Sequence, residues 1–240
     1  MTYCVGLLLK VGLVLLSDTR TNAGLDNIST YRKMFTFEDP GERVIAMMTA
    51  GNLSVTQKTL ALLSEAIDDP DATHETSIMK AESLLDVATI TGEMLSRVSA
   101  ETKARMDRAS QAANASMIVA GQRRGGKMRL FLVYTEGNFI EATEDTPYLQ
   151  IGEHKYGKPI LDRVISADTP LGDARKAVLL SMDSTLRSNL SVGMPLDMVV
   201  IETDALRISE QRRIEANDED FARMSTAWSR ALRDAFTQID

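Results

Sequence analysis

Residues 2–20 read Thr-Tyr-Cys-Val-Gly-Leu-Leu-Leu-Lys-Val-Gly-Leu-Val-Leu-Leu-Ser-Asp-Thr-Arg. The apolar run from Tyr3 to Leu16 is either a secretory leader or a pair of buried strands. No basic residue precedes the run, and Lys10 interrupts it. No small-x-small cleavage pattern follows, only Ser17-Asp18-Thr19-Arg20. The run is also too short to span a membrane. Gly12, after Lys10-Val11, marks a turn. The stretch therefore reads as two strands joined in a hairpin, apolar on both faces because both faces are covered.

Working outward, the first fifty residues continue as strands near Arg32–Phe37 and Arg43–Ala50, separated by the turn residues Glu38-Asp39-Pro40-Gly41. The period then changes. Ser54-Val55-Thr56-Gln57 reads as a capping box with Ser54 as N-cap, opening a helix that carries Leu60, Leu63 and Ile67 on one face and stops at Asp68-Asp69-Pro70. A second helix is expected from about Thr76 to Arg108. Strands return at Ala115–Ala120, Met128–Thr135 and Phe139–Ala142, with Glu136-Gly137-Asn138 turning the last two. Pro147–Ile151 is a further strand, ending at Gly152, and Gly157–Ile165 a short helix. Thr169 as N-cap and Pro170 at the first helical position open another helix. A strand over Pro195–Glu202 and a helix over about Glu219–Gln238 close the chain. Blocks of strands and helices segregated in this way predict an α+β fold: a four-layer αββα sandwich of two antiparallel sheets covered by helices. Its 240 residues, 44% of them hydrophobic, suffice for one such domain over residues 1–240.

The net charge of -7 argues against a nucleic-acid partner, because phosphate binding needs clustered Lys and Arg. The densest basic group, Arg123, Arg124, Lys127 and Arg129, lies in a Gly-rich turn and reads as a solvated loop. Gly121–Lys127 matches a phosphate-binding loop up to its lysine. Met128 then stands where Ser or Thr is required, and a strand rather than a helix follows. The single cysteine, Cys4, builds no disulfide framework, which predicts a cytoplasmic protein. His74 and His154 have no ligand-type neighbours at metal spacing, so neither a metal nor another cofactor is expected.

A hydrolase this poor in histidine needs another base. An N-terminal threonine carries one, since its α-amine lies beside its own hydroxyl and has an unperturbed pKa of about 8. A neighbouring lysine would keep that amine neutral, and a carboxylate would hold the lysine charged and in place. The chain supplies Thr2, uncovered by removal of Met1, together with Asp18 and Lys33.

At these residues the chain resembles a known family. Thr-Tyr-Cys-Val-Gly, then Leu-Ser-Asp-Thr-Arg-Thr-Asn-Ala-Gly and Tyr-Arg-Lys, is similar to a proteasome β-subunit, and the likeness runs over nearly the whole chain. Thr49-Ala50-Gly51 resembles the family's glycine segment, Tyr148–Gly152 its strand leading to Gly-Ser-Gly, and Arg187–Val192 its Arg-Asp-x-x-Ser-Gly region. Length and wording fit the bacterial ancestral β-subunit group, Anbu. The resemblance implies an N-terminal-nucleophile hydrolase acting on a peptide or another amide. Thr2 would be the nucleophile, its amine the general base, Lys33 the group that tunes the amine, and Asp18 the group that orients Lys33. The Gly51 N–H would form the oxyanion hole. Asn22 and Gly51 would pair with the substrate backbone, and Thr49 would shape the specificity pocket. Ser188, Ser191 and Glu153 fall at supporting positions. Glu153 stands where the family has Ser, and Ser188 where it has Asp, with Ser191 keeping the second serine. A Glu153 carboxylate beside the amine would raise the amine's pKa. Those replacements leave open a proteasome-like shell protein with little peptidase activity, and the wider N-terminal-nucleophile superfamily leaves open a non-peptide amidase. The resemblance also implies self-assembly, as a ring or an open spiral. It names no ATPase partner, and neither a nucleic acid nor a membrane is expected as a partner.

Overall fold

A computed structural model describes residues 2–22, 28–106 and 113–239. The predicted hairpin forms as β1 (Tyr3–Leu9) and β2 (Gly12–Asp18), paired antiparallel with Leu7 opposite Val14 and Cys4 opposite Ser17. Tyr3, Val5, Leu7, Val14 and Leu16 enter one apolar cluster; Cys4, Leu13 and Leu15 enter another on the opposite face. This double burial is why the stretch is uniformly apolar instead of alternating. Each large side chain so covered contributes about 1.5–3 kcal/mol.

The first sheet is completed by β10 (Tyr148–Gly152), β11 (Leu196–Glu202) and β12 (Glu210–Ile214), in the order β10-β1-β2-β11-β12. The second contains β5 (Met34–Asp39), β6 (Arg43–Gly51), β7 (Ala115–Arg123), β8 (Arg129–Val133) and β9 (Phe139–Glu141), in sequential order. Every pairing in both sheets is antiparallel. Alternate residues of β6 divide between two cores: Val44, Ala46, Met48 and Ala50 face the inter-sheet layer, while Ile45 and Met47 face helices α1 (Leu53–Asp68) and α2 (Leu84–Met106). On the outer face of the first sheet lie α3 (Lys158–Val164), α4 (Leu171–Ser188) and α5 (Glu219–Thr237). The four-layer expectation is met.

Several boundaries move, for local reasons. The N-cap of α1 is Asn52, not Ser54: its Oδ1 accepts the N–H groups of Ser54 (3.0 Å) and Val55 (3.3 Å). Asn52→Ala is expected to lower stability by about 1 kcal/mol, readable as a shift of the urea midpoint. Helix α2 begins at Leu84, eight residues later than the spacing predicted. Arg43 draws the carbonyls of Ile78 and Ala81 (2.9 Å each) away from any helical ladder, and the Ser83 hydroxyl caps Asp86 N–H (3.2 Å). The predicted end at Arg108 lies outside the described residues. Thr169 is not an N-cap: its hydroxyl accepts Ser166 N–H (2.9 Å), extended Pro170 takes the cap position, and the helix opens at Leu171. Two elements were missed, the ribbon β3 (Arg20–Asn22) with β4 (Ile28–Thr30), and β12. The sequence of β12, Glu-Gln-Arg-Arg-Ile, is that of a charged edge strand and carries no apolar signal.

Candidate active site

Strand β2 delivers Asp18 into a dry position at the end of the first sheet. Its Oδ1 accepts the N–H of Tyr3 (3.1 Å) and the ammonium of Lys33 (2.7 Å), and its Oδ2 accepts the N–H of Gly193 (3.3 Å). Lys33 precedes β5, and its carbonyl takes the N–H of Thr49 (3.0 Å), which anchors it to the second sheet. Its Nζ also donates to the carbonyl of Arg20 (2.6 Å). The pair thus spans the two sheets, with side-chain exposures of only 5% for Lys33 and 0% for Asp18. Burial pushes the Asp18 carboxyl above the ordinary aspartate range; the Lys33 ammonium and the Tyr3 and Gly193 N–H groups oppose that push.

The chain start is held from the other side as well. The carbonyl of Thr2 accepts the N–H of Glu153 (2.7 Å), and Tyr3 N–H is the donor to Asp18. Both polar groups of the Thr2–Tyr3 peptide unit are therefore fixed, and Thr2 itself is buried. The approach of Glu153 depends on Gly152, which has φ +81° and would place a Cβ 1.9 Å from the Thr2 carbonyl oxygen.

Gly51 ends β6 with φ +101°, pressed so closely on Asn114 that a Cβ would lie 2.4 Å from its carbonyl oxygen. Thr49 N–H points toward Lys33, and Asn52 N–H points the other way, to Asn114 (2.9 Å). By strand alternation, Gly51 N–H shares the edge of Thr49 N–H, just past Lys33. Thr49 is buried at an odd position of β6, on the helix-facing side with Ile45 and Met47. Asn22 ends β3, opposite Ile28.

Among the supporting residues, the Glu153 carboxylate accepts from Asn189 Nδ2 (2.9 Å), with Lys155 3.8 Å from its other oxygen. Asn189 Oδ1 in turn accepts Ser191 N–H (2.9 Å). Ser188 ends α4 and is exposed. Sequence reasoning missed Asn189, Gly152 and Gly193 as site residues. Each lies within or beside a stretch quoted above, but only long-range contacts reveal its part. A Cβ on Gly193 would fall 2.2 Å from Arg20 Nε, so this glycine lets the 190s loop close over Asp18.

Cys4 lies one strand position from this cluster. Its thiol points at the Thr49 carbonyl (3.8 Å), and burial, reinforced by the Asp18 carboxylate, pushes its pKa far up. A disulfide reagent such as DTNB is expected to leave the native thiol untouched and to titrate one thiol per chain in denaturant; rapid native labelling would contradict this burial.

Among the described residues no group of three His, Cys, Asp or Glu could hold a metal ion, and no helix is long and apolar enough to cross a membrane.

Residues 2–201 match the family model described as proteasome subunit. The chain belongs to the proteasome subunit family. Three solved structures place it in the Anbu, or ancestral β-subunit, branch. Anbu from Hyphomicrobium sp. strain MC1, a Gly-1 mutant, is 47% identical with a TM-score of 0.92, covering 100% of this chain and 98% of that one. Anbu from Yersinia bercovieri is 45% identical with a TM-score of 0.91, covering 99% and 98%. The Anbu complex from Pseudomonas aeruginosa, described as a helical assembly, is 44% identical with a TM-score of 0.93, covering 99% and 97%. Among curated proteins none matches. The family match stops at residue 201, ahead of α5, whereas the Anbu structures are matched through nearly their whole length.

Proposed function

We propose that this proteasome-family chain is a self-assembling N-terminal threonine hydrolase that cleaves amide bonds. Once Met1 is removed, the free amine of Thr2 takes the proton of its own hydroxyl as Oγ1 attacks the substrate carbonyl carbon. Gly51 N–H receives the developing oxyanion, a donor of a kind that contributes about 3 kcal/mol. The ammonium formed on Thr2 passes its proton to the leaving amine as the C–N bond breaks, leaving a threonyl ester. Water, deprotonated by the same amine, then hydrolyses the ester. Lys33 keeps the amine neutral between turnovers, Asp18 orients Lys33, and Asn22 with Gly51 holds the substrate as an added strand beside a pocket shaped by Thr49.

The observation carrying this reading is the single oxygen Asp18 Oδ1, which accepts from both Lys33 Nζ and the first N–H after Thr2. One carboxylate thereby ties a buried cation to the chain start. The engagement of Glu153 by Asn189 also supports it, because it gives that carboxylate a hydrogen-bond partner other than the amine. Self-assembly is supported by the helical assembly of the Pseudomonas relative.

The test is intact-mass spectrometry of purified protein treated with a peptidyl electrophile, with turnover assayed on peptide and non-peptide amides. Loss of Met1 and one adduct per chain, absent in Thr2→Ala, is the expected result. A chain lacking Met1 that forms no adduct and turns over neither panel would sink the enzyme reading and favour the shell protein.

A further inference from the structure

Strand β7 begins beside the candidate active site, where Ala115 pairs with Gly51, and ends at Arg123, about 27 Å along the strand. There the β7–β8 turn, by sequence a plain solvated loop, forms one wall of a cavity of about 510 Å³. The facing wall is Glu82, Ser83 and Leu84, at the start of α2. Arg123, Arg124, Lys127 and Arg129 line the cavity against two carboxylates, Glu82 and Glu141. Its positive balance runs against the chain's net charge of -7.

The carboxylates discharge this cluster only in part. Glu141 is held by Arg129 through two hydrogen bonds (2.7 and 2.6 Å). Glu42, outside the lining, stands 3.8 Å from Arg123 and 3.5 Å from Arg124, beyond good hydrogen-bond distance. Arg123 and Arg124 donate instead to the carbonyls of Glu82 (2.5 Å) and Gly41 (2.7 Å), which carry no net charge. Arg123 Nε is shut off from solvent and meets no hydrogen-bond acceptor among the described residues. The exposed Lys127 ammonium meets none either among those residues. Gathering cations in this way is unfavourable by itself. The buried Arg43 guanidinium beside them is pushed below the ordinary arginine range, by burial first and then by Arg123. A multiply charged anion would relieve that repulsion through charge-assisted hydrogen bonds.

From this we infer that the cavity binds a small phosphate-bearing ligand, whose di- or triphosphate group is held by Lys127, Arg123 and Arg124 without magnesium. The volume is ample for such a group. The grip differs from that of a nucleotide-hydrolysing loop. Strand β8 follows the turn, so no helix springs from it to cap the phosphate, and Met128 offers no hydroxyl to a metal. The inference uses none of the residues assigned to amide hydrolysis and stands apart from that reading.

Isothermal titration calorimetry at fixed ionic strength, with EDTA present, would measure pyrophosphate and ADP against the wild-type chain, Lys127→Ala and Arg124→Ala. Lys176→Ala, on α4, is the control. Pyrophosphate is expected to bind the wild type saturably, at about one per chain. Each cavity variant should weaken it about tenfold or more, the worth of one hydrogen bond to a charged group, and the control should not. Both cavity side chains are exposed, so thermal unfolding should show all variants folded. ADP binding more tightly than pyrophosphate would make a nucleotide the source of the phosphates; ADP binding equally or less would make it the phosphate chain alone. The absence of saturable binding by either probe, or binding that both cavity variants leave unchanged, would overturn the site.

Discussion

Lys33→Met is expected to destabilise the fold by about 3–5 kcal/mol and to lower kcat/KM by about 10²–10⁴, the range that a positioned general base supplies. The stability effect follows from burial. Asp18 has no exposed surface, and Lys33 is its only cationic partner among the described residues, at 2.7 Å. Removing the cation strands a carboxylate in the interior, where solvation cannot replace the lost attraction, and two N–H donors remain as its support. The double variant Lys33→Met with Asp18→Asn removes both charges together. It is expected to recover part of the stability while recovering none of the activity, since the amine still lacks its cation. Urea unfolding of the three variants measures the first part and the turnover assay the second. A Lys33→Met chain as stable as wild type would show that Asp18 does not depend on the pair. Wild-type turnover in that variant would remove lysine from the mechanism.

Gly152→Ala is expected to cost about 1–3 kcal/mol in backbone strain and about 100-fold in kcat/KM. At φ +81° an L side chain is strained before it touches anything, and here its Cβ would sit 1.9 Å from the Thr2 carbonyl oxygen. Neither atom belongs to a flexible side chain. Relief requires β10 and the chain start to separate, which breaks the Glu153 N–H bond that fixes the Thr2 carbonyl. Thr2, the proposed nucleophile, then shifts relative to Lys33, and a displacement of about 1 Å is enough for the predicted loss. Gly125→Ala is the control. Gly125 has φ +73° in the β7–β8 turn, and a Cβ there meets nothing within 4 Å. That variant bears strain alone and should react with the electrophile at the wild-type rate. Equal adduct rates for the two variants would mean that Thr2 is not positioned through Gly152.

Much of this architecture is legible in periodicity. The twin apolar runs of β1 and β2, the helical spacing of α1, α4 and α5, and the turn at Glu136-Gly137-Asn138 all survive with shifts of a few residues. The shifts occur where a polar group had two plausible partners. Ser54 and Thr169 are good caps by type, yet Asn52 and the Ser166 N–H outcompeted the predicted arrangements. The start of α2 was displaced by Arg43, a residue more than thirty positions away. Edge strands such as β12 and the ribbon β3–β4 escaped notice because solvent on one side removes the apolar pattern.

The chain order alone carried the layer arrangement and singled out Thr2, Asp18 and Lys33 as the proposed catalytic set, because burial imprints a period on neighbouring residues and the chemistry proposed here calls for particular residue types. Distance across the fold leaves no such imprint. That Glu153 meets Asn189, and that Gly152 and Gly193 leave room for Thr2 and Arg20 where no side chain fits, are matters of close approach between segments remote in sequence. Contacts of that kind depend on how the two sheets and their helices pack, and a linear pattern holds no record of them.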